Sequence, residues 1–234
     1  MTARKQLKRL AAPKQIRILR KESAWTVRAA PGPHGLKNSI PLIVLIRDYL
    51  KLAGTALEAR KILKEEQVFV DGRAVTEPKF AVGFMDIISI PKMERAFRII
   101  LDYKGRIEVQ EIDKKVDFKL AKVQNITQTT KGKQLTLHDG RNIFTKEAIK
   151  TGDVVKIEVP SQKILEHYPL KTGSVAYITG GMHAGETVKI KEIIEGTITR
   201  KKQVLFKSED SEFTTPINYV FVVGKDKPVI SLGE

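Results

Sequence analysis

The chain has no cysteine, which excludes disulfides and thiolate metal sites and gives no sign of an oxidising compartment. It has no apolar run of roughly eighteen residues, so no membrane-spanning helix is expected. Histidine is sparse. His34, His138, His167 and His183 lie far apart, with no His-x-x-x-His or His-Glu-x-x-His spacing. Each is read as a surface or hydrogen-bonding residue, and no metal is expected. Phosphate-cradle chemistry lacks its residues too. Gly180–Gly185 is not followed by Gly-Lys-Ser/Thr, and a strand is expected where a helix N-terminus should stand. Ser89-x-x-Lys92 with Lys171-Thr172-Gly173 imitates a serine-nucleophile signature, but Ser-Asp-Asn is missing and Ser89 falls in a strand. Carboxylates are scarce at one end, where Glu22 is the only acid among the first forty residues.

What is present is positive charge. The chain has 234 residues with 41% hydrophobic and 29% charged, a globular composition, and a formal net charge of +15. Residues 1–40 hold ten basic residues: Arg4, Lys5, Lys8, Arg9, Lys14, Arg17, Arg20, Lys21, Arg28 and Lys37. A charge so far from zero speaks of partners, with nucleic acid the first candidate and an anionic membrane the second. Residues 1–40 have no apolar core of a secretory signal. They are Arg-rich like a mitochondrial transit peptide but hold only Ser23 and Ser39. The favoured reading is a basic extension that packs along phosphates, with Trp25, Val27 and Ile16–Ile18 as apolar anchors and Pro31-Gly32-Pro33-His34-Gly35 as a rigid turn. Such an arm is expected to be loose without its target. His34, beside Lys37, is the histidine placed near phosphate.

Residues 41–91 organise the chain. Ile43, Ile46 and Leu50 share a helical face, and Gly54 is expected to end that helix. Thr55 followed by Glu58 has the capping-box pattern of a second helix, on which Arg60, Lys61 and Lys64 cluster away from Leu57, Ile62 and Leu63. The period then changes to two. Val68 and Val70 lead to an Asp71-Gly72 turn, Ala74–Thr76 runs back, and Asp86–Ile90 closes a small sheet. The segment is neutral by count, with seven basic residues (Arg47, Lys51, Arg60, Lys61, Lys64, Arg73, Lys79) and seven acidic ones. Any affinity for RNA must come from segregating charge onto faces.

Two helices followed by Val68-x-Val70-Asp71-Gly72-x-x-Val75-x-x-Pro78-x-x-x-Val82 resemble the S4-type RNA-binding domain. That domain also occurs in pseudouridine synthases and in a tyrosyl-tRNA synthetase, so it does not fix function alone. A pseudouridine synthase needs Asp in a Gly-Arg-Leu-Asp setting. Gly72-Arg73, Gly105-Arg106 and Gly140-Arg141 are none of them followed by Leu-Asp.

Residues 92–171 read as strands separated by glycine-bearing turns, at 97–101, 106–109, 122–126, 134–138 and 154–159. A compact antiparallel, barrel-like domain is expected, with a short helical turn near Ile164–His167. Residues 172–234 place strands around Gly180, Gly181, His183 and Gly185, and this stretch is similar to a KOW motif, a hairpin unit that contacts RNA or protein. Further strands are expected at 203–207 and 219–223.

The expected architecture is α+β. A basic extension (1–40) precedes an S4-type module (41–91), a central β domain (92–171) and a KOW-like, SH3-like small barrel with a tail (172–234). Leu7-Lys8-Arg9-Leu10-x-Ala12-Pro13-Lys14, Gly32-Pro33-His34, Gly83–Ile90 and Val223-Gly224-Lys225 extend the match over almost the whole chain. In this order they resemble the archaeal and eukaryotic "e" type of small-subunit ribosomal protein four. The resemblance implies a non-enzymatic, cytoplasmic constituent of the small ribosomal subunit. It implies binding to small-subunit rRNA beside neighbouring ribosomal proteins, with no cofactor, membrane or small-molecule substrate. The expected rRNA contacts are the ten basic residues of 1–40 with His34, then Arg47, Lys51, Arg60, Lys61, Lys64 and Lys79. An rRNA-modifying enzyme, or a KOW-bearing translation or transcription factor that cycles on and off its machine, is the alternative.

Overall fold

Ile40 to Ile46 are all buried, Leu42, Leu45 and Ile46 completely so. In this computed structural model the chain divides into two units, Met1–Ile100 with Arg106–Asp117, and Leu101–Gly105 with Phe118–Glu234. The structure describes residues 6–112, 117–130, 132–197, 201–207 and 212–230.

The first unit begins with a ribbon of β1 (Leu7–Lys8) and β2 (Trp25–Thr26). β3 (Ser39–Pro41) runs into the apolar stretch, which forms α1 (Leu42–Val44) and a wider π-helical turn, Leu45–Tyr49. α2 spans Ala56–Lys64. Short strands follow as β4 (Phe69–Val70), β5 (Arg73–Ala74), β6 (Ala81–Gly83), β7 (Ile87–Ile90), β8 (Arg95–Leu101) and β9 (Ile107–Ile112). β3 pairs with β6, and the other five form a sheet in the order β5-β4-β7-β8-β9.

The expected end of the first helix at Gly54 is corrected. The Leu50 N–H reaches the Leu45 carbonyl at 2.9 Å and the Leu52 N–H reaches Ile46 at 3.0 Å. These bonds are longer in register than α-helical ones, so the turn widens and closes early. The left-handed residue that lets the chain out is Lys51, with φ 51. Gly54 instead donates its N–H to Glu58 Oε2 at 2.8 Å. The Thr55–Glu58 capping box forms as its spacing implies, with the Glu58 N–H on Thr55 Oγ1 at 3.2 Å. Asp71 and Gly72 take φ 47 and 70, the mirror-image turn that suits a two-residue hairpin. Asp71 also receives the Ile87 N–H at 2.9 Å, which fixes β7 beside β4.

Arg95–Leu101 and Ile107–Ile112, expected in a central domain beginning at residue 92, instead continue this sheet. β7 and β8 pair as Ile87↔Arg98 and Ile88↔Phe97. The reason is local. Ile87 to Ile90 and Ala96 to Leu101 both carry inward apolar residues, and only a tight connection, Pro91–Glu94, separates them. Glu94 turns it with φ 57.

The second unit holds two five-stranded antiparallel sheets. The first comprises β10 (Phe118–Thr129), β11 (Gly132–Leu137), β12 (Asn142–Thr145), β13 (Val154–Glu158) and β14 (Ile164–Tyr168), in the order β12-β11-β10-β13-β14. Ala121, Val123, Leu135, Leu137, Ile149, Val155 and Ile157 form its core. The helical turn expected near Ile164–His167 is a strand. Its residues pair with β13, Val155 opposite His167 and Lys156 opposite Glu166, where Lys156 Nζ lies 3.0 Å from a Glu166 oxygen. The second sheet comprises β15 (Val175–Ile178), β16 (Thr187–Ile194), β17 (Gln203–Lys207), β18 (Glu212–Pro216) and β19 (Val220–Gly224), in the order β18-β17-β16-β15-β19.

Lys122 on β10 ties that first sheet to the turn entering β19. Its Nζ donates to the carbonyls of Ile217, Asn218 and Val220 at 2.9, 3.3 and 2.7 Å. Burial pushes this ammonium down to about 8 from its ordinary 10.5. Above that lower value the folded chain gives up a proton that the unfolded chain still holds, so this residue's contribution to stability rises with pH between the two values. Denaturant unfolding of the wild type and of Lys122→Met, at pH 7 and pH 10, should show the wild type gaining up to about 3 kcal/mol on the variant. A difference independent of pH would mean that Lys122 titrates as an ordinary lysine.

Candidate nucleic-acid interface

The basic extension is built into the first unit. Ala12, Ile16 and Ala29 are buried, and the Ile107 N–H donates to the Gln15 carbonyl at 2.8 Å. The Arg17 N–H donates to Tyr49 Oη at 2.7 Å and the Ala30 N–H to the Lys79 carbonyl at 2.8 Å. The expectation of an arm without structure of its own is therefore corrected for residues 6–40. Trp25, expected as an anchor, is 53% exposed, and Ile16 takes the buried role.

The arginines of this segment divide into two groups. Arg9 is buried, with Nη1 donating to Ser23 Oγ at 2.7 Å and Nη2 lying 3.0 Å from a Glu22 oxygen. Arg20 donates Nη1 to the carbonyls of Leu10 and Ala12 at 3.2 and 2.9 Å, and Nη2 to that of Pro13 at 3.1 Å. Both hold the segment in shape. Lys8, Lys14, Arg17, Lys21 and Lys37 are exposed, and Arg28 is half-buried. Arg4 and Lys5 lie outside the described residues.

His34 is a correction. It is buried, not presented to phosphate, and its Nε2 lies 3.0 and 2.9 Å from the two oxygens of buried Asp86. Asp86 in turn accepts the Gly83 N–H at 2.8 Å. A Cβ on Gly83 would come within 2.3 Å of His34 Cγ, so glycine is what allows the ring to seat there. Sequence placed His34 among cations. The partner that draws it inward is Asp86, a long way along the chain.

On α2, Ala59 and Leu63 are buried at helical spacing, while Arg60, Lys61 and Lys64 are exposed on the outer side. Leu57, 74% exposed, stands one turn before Lys61. Lys51 and Lys79 are also exposed. Arg47 is engaged by its neighbour, with Nε and Nη2 on the two oxygens of Asp48 at 2.6 and 2.8 Å. That hydrogen-bonded pair holds the guanidinium above its ordinary value.

In the second unit, Gly180, Gly181, His183 and Gly185 stand on the turn between β15 and β16. Gly180 faces the Tyr219 ring. His183 stacks on Phe213 with ring centres 3.8 Å apart, and its Nδ1 lies 3.1 Å from Glu186 Oε1. Gly185 has φ +84, and a Cβ there would meet the Tyr103 N atom at 2.9 Å. Met182 at the tip is 91% exposed. Gly181 lies beside it with φ +100. Among the described residues no cluster of His, Asp and Glu could hold a metal ion, and no helix is long and apolar enough to cross a membrane.

Family comparison accounts for this arrangement of segments. "Ribosomal family S4e" matches residues 93–164, "RS4NT (NUC023) domain" residues 1–37 and "S4 domain" residues 41–88. A curated relative from Methanosphaera stadtmanae, named small ribosomal subunit protein eS4, is 46% identical over 234 residues, covering 99% of this chain and 97% of the relative. This chain belongs to the ribosomal S4e family. A relative of the same name from Archaeoglobus fulgidus is 44% identical, with 97% of each chain covered. The crystal structure of the 30S ribosomal protein S4e from Thermoplasma acidophilum superposes with a TM-score of 0.70 at 37% identity, covering 80% of this chain and 96% of that one. S4e proteins are structural components and not enzymes, and the S4 domain is an RNA-binding domain.

The two groups of cations separate in experiment. Arg20→Met removes the donor to three carbonyls and should destabilise the unit by about 1–3 kcal/mol, with faster amide exchange around residues 9–16. Lys14→Met and Lys21→Met, both at exposed positions, should stay within about 0.5 kcal/mol of wild type. Equal effects from all three would remove the distinction.

Proposed function

We propose that this chain is a constituent of the small ribosomal subunit that binds rRNA through two exposed basic surfaces. One is the set Lys8, Lys14, Arg17, Lys21 and Lys37 of the N-terminal segment. The other is Lys51, Arg60, Lys61 and Lys64 of the helical module, with Lys79 on the loop before β6. The observation that carries the reading is the sorting of charge. The module is neutral by count, yet Asp71 and Asp86 are buried, Asp48 is paired with Arg47, and Glu58 caps α2. The cations of α2 are left facing solvent. Lysine and arginine on such faces displace counterions from RNA phosphates, and folded RNA offers shape and phosphates more than readable base edges.

The segment around Gly180–Gly185 we read as a KOW-like hairpin in a small SH3-like barrel. The reading includes neighbouring ribosomal proteins and a cytoplasmic location in the assembled subunit, and the eS4 names of the relatives support it. Support for translation is the role this reading assigns.

The test is the salt dependence of binding to small-subunit rRNA. Lys14→Gln/Arg17→Gln/Lys21→Gln and Arg60→Gln/Lys61→Gln/Lys64→Gln should each reduce the slope of log K against log salt by up to about 3. The wild type should also co-sediment with the small subunit in a high-salt gradient. Unchanged slopes would move the interface elsewhere, and loss from the subunit in high salt would favour a cycling factor.

A further inference from the structure

Trp25 is the chain's single tryptophan and is more than half exposed. It lies on β2 directly opposite Lys8 on β1. Residues paired in this way point to the same face of a ribbon. The burial pattern agrees, with Lys8 and Trp25 exposed and their neighbours Leu7 and Thr26 half-buried. The ribbon is held firmly from below. The Arg9 N–H donates to the Ala24 carbonyl at 3.0 Å, Arg9 Nη1 holds Ser23 Oγ, and Ser23 Oγ donates to the Trp25 carbonyl at 3.1 Å. An indole is thus set out on a fixed support with an ammonium across from it. Glu22, the one acid of residues 1–40, is drawn off by Arg9 at 3.0 Å.

We propose that Trp25 and Lys8 form a stacking site for one unpaired nucleotide of the bound RNA, the base lying on the indole and its phosphate meeting Lys8. The inference rests on the rRNA reading above and adds single-stranded selectivity to it. An indole face gains from a base only when that base is out of a duplex stack, so the site discriminates unpaired from paired RNA. The surrounding charge selects the occupant. Lys8, Lys14, Arg17 and Lys21 are exposed nearby in sequence, and a basic protein surface would be repelled.

The test uses the full-length protein and tryptophan emission, which reports on Trp25 alone. A 16-nucleotide oligouridylate should quench it strongly. A blunt RNA duplex with the same number of phosphates should bind, by anisotropy of a labelled strand, and leave the emission near its free level. Trp25→Leu should weaken oligouridylate binding about tenfold and leave duplex binding unchanged, while Trp25→Phe retains most of the affinity. Lys8→Gln should lower the salt slope by about one. Oligouridylate binding without quenching, or equal quenching by the duplex, overturns the stacking site and leaves the rRNA reading standing. Quenching by an acidic peptide and not by RNA overturns it in favour of a protein partner. Failure of every RNA to bind overturns the rRNA reading and the proposal with it.

Discussion

A cation taken out of water must find acceptors, and two half-buried cations of this chain find them on the backbone. Arg20 is held by three carbonyls, as is Lys122. The N-terminal segment has little choice, because its only carboxylate is Glu22 and Arg9 occupies it. Carbonyl oxygens have spare lone pairs at turns and ends of elements, where no ladder uses them. The consequence is structural. Each such cation draws a turn together, so the segment between Leu10 and Pro13 and the turn at 217–220 are shaped by basic side chains. Where a carboxylate is available in the interior the chain does use it, as with Lys119 and Asp139 at 2.9 Å, both buried. Burial alone would raise the Asp139 carboxyl, but Lys119 and the cationic groups around it hold it below its ordinary value.

That requirement divides the charge into two populations with different work. Cations with protein acceptors, such as Arg9, Arg20, Arg47 and Lys122, stabilise the fold and have little left to offer a ligand. Cations without a crowd of acceptors, such as Lys14, Lys21, Arg60, Lys61 and Lys64, stand in water. Residue counts cannot tell these populations apart, since both read as Lys or Arg. This is why the 41–91 segment looks neutral and still presents a basic helix face: four of its seven acids are engaged in the His34–Asp86 pair, the Asp71 turn, the Arg47 pair and the α2 cap, while Glu65, Glu66 and Glu77 stay exposed outside α2.

The features legible in sequence are those with short-range causes. The capping box needs only Thr55 and Glu58, and the hairpin turn needs only Asp71 and Gly72. Most strands of the second unit were readable from β-branched runs between glycines. The misses have long-range causes. His34 is internal because of Asp86, and the exit from the first helix lies at Lys51 because its turn widens. β12 (Asn142–Thr145) and β18 (Glu212–Pro216) carry polar residues on one face and exist by pairing with β11 and β17. β14, expected as a helical turn, is a strand because it pairs with β13. The basic site was legible as a composition. Which of its residues face outward was not, because that depends on which carbonyls come within reach after folding.

Trp25 follows the same logic from the apolar side. A large aromatic would ordinarily be recruited to the core. Here Ile16, Ala12 and Ala29 fill that core, and the ribbon register sends the indole outward opposite Lys8. In this register, turning it inward would mean turning the whole ribbon over, which would also invert Leu7 and Lys8. Lys8 would then be driven toward the interior of a segment whose single carboxylate is already taken. The register that keeps the lysine in water therefore also keeps the tryptophan there. Exposure of the aromatic is in this sense a result of where the charge had to go.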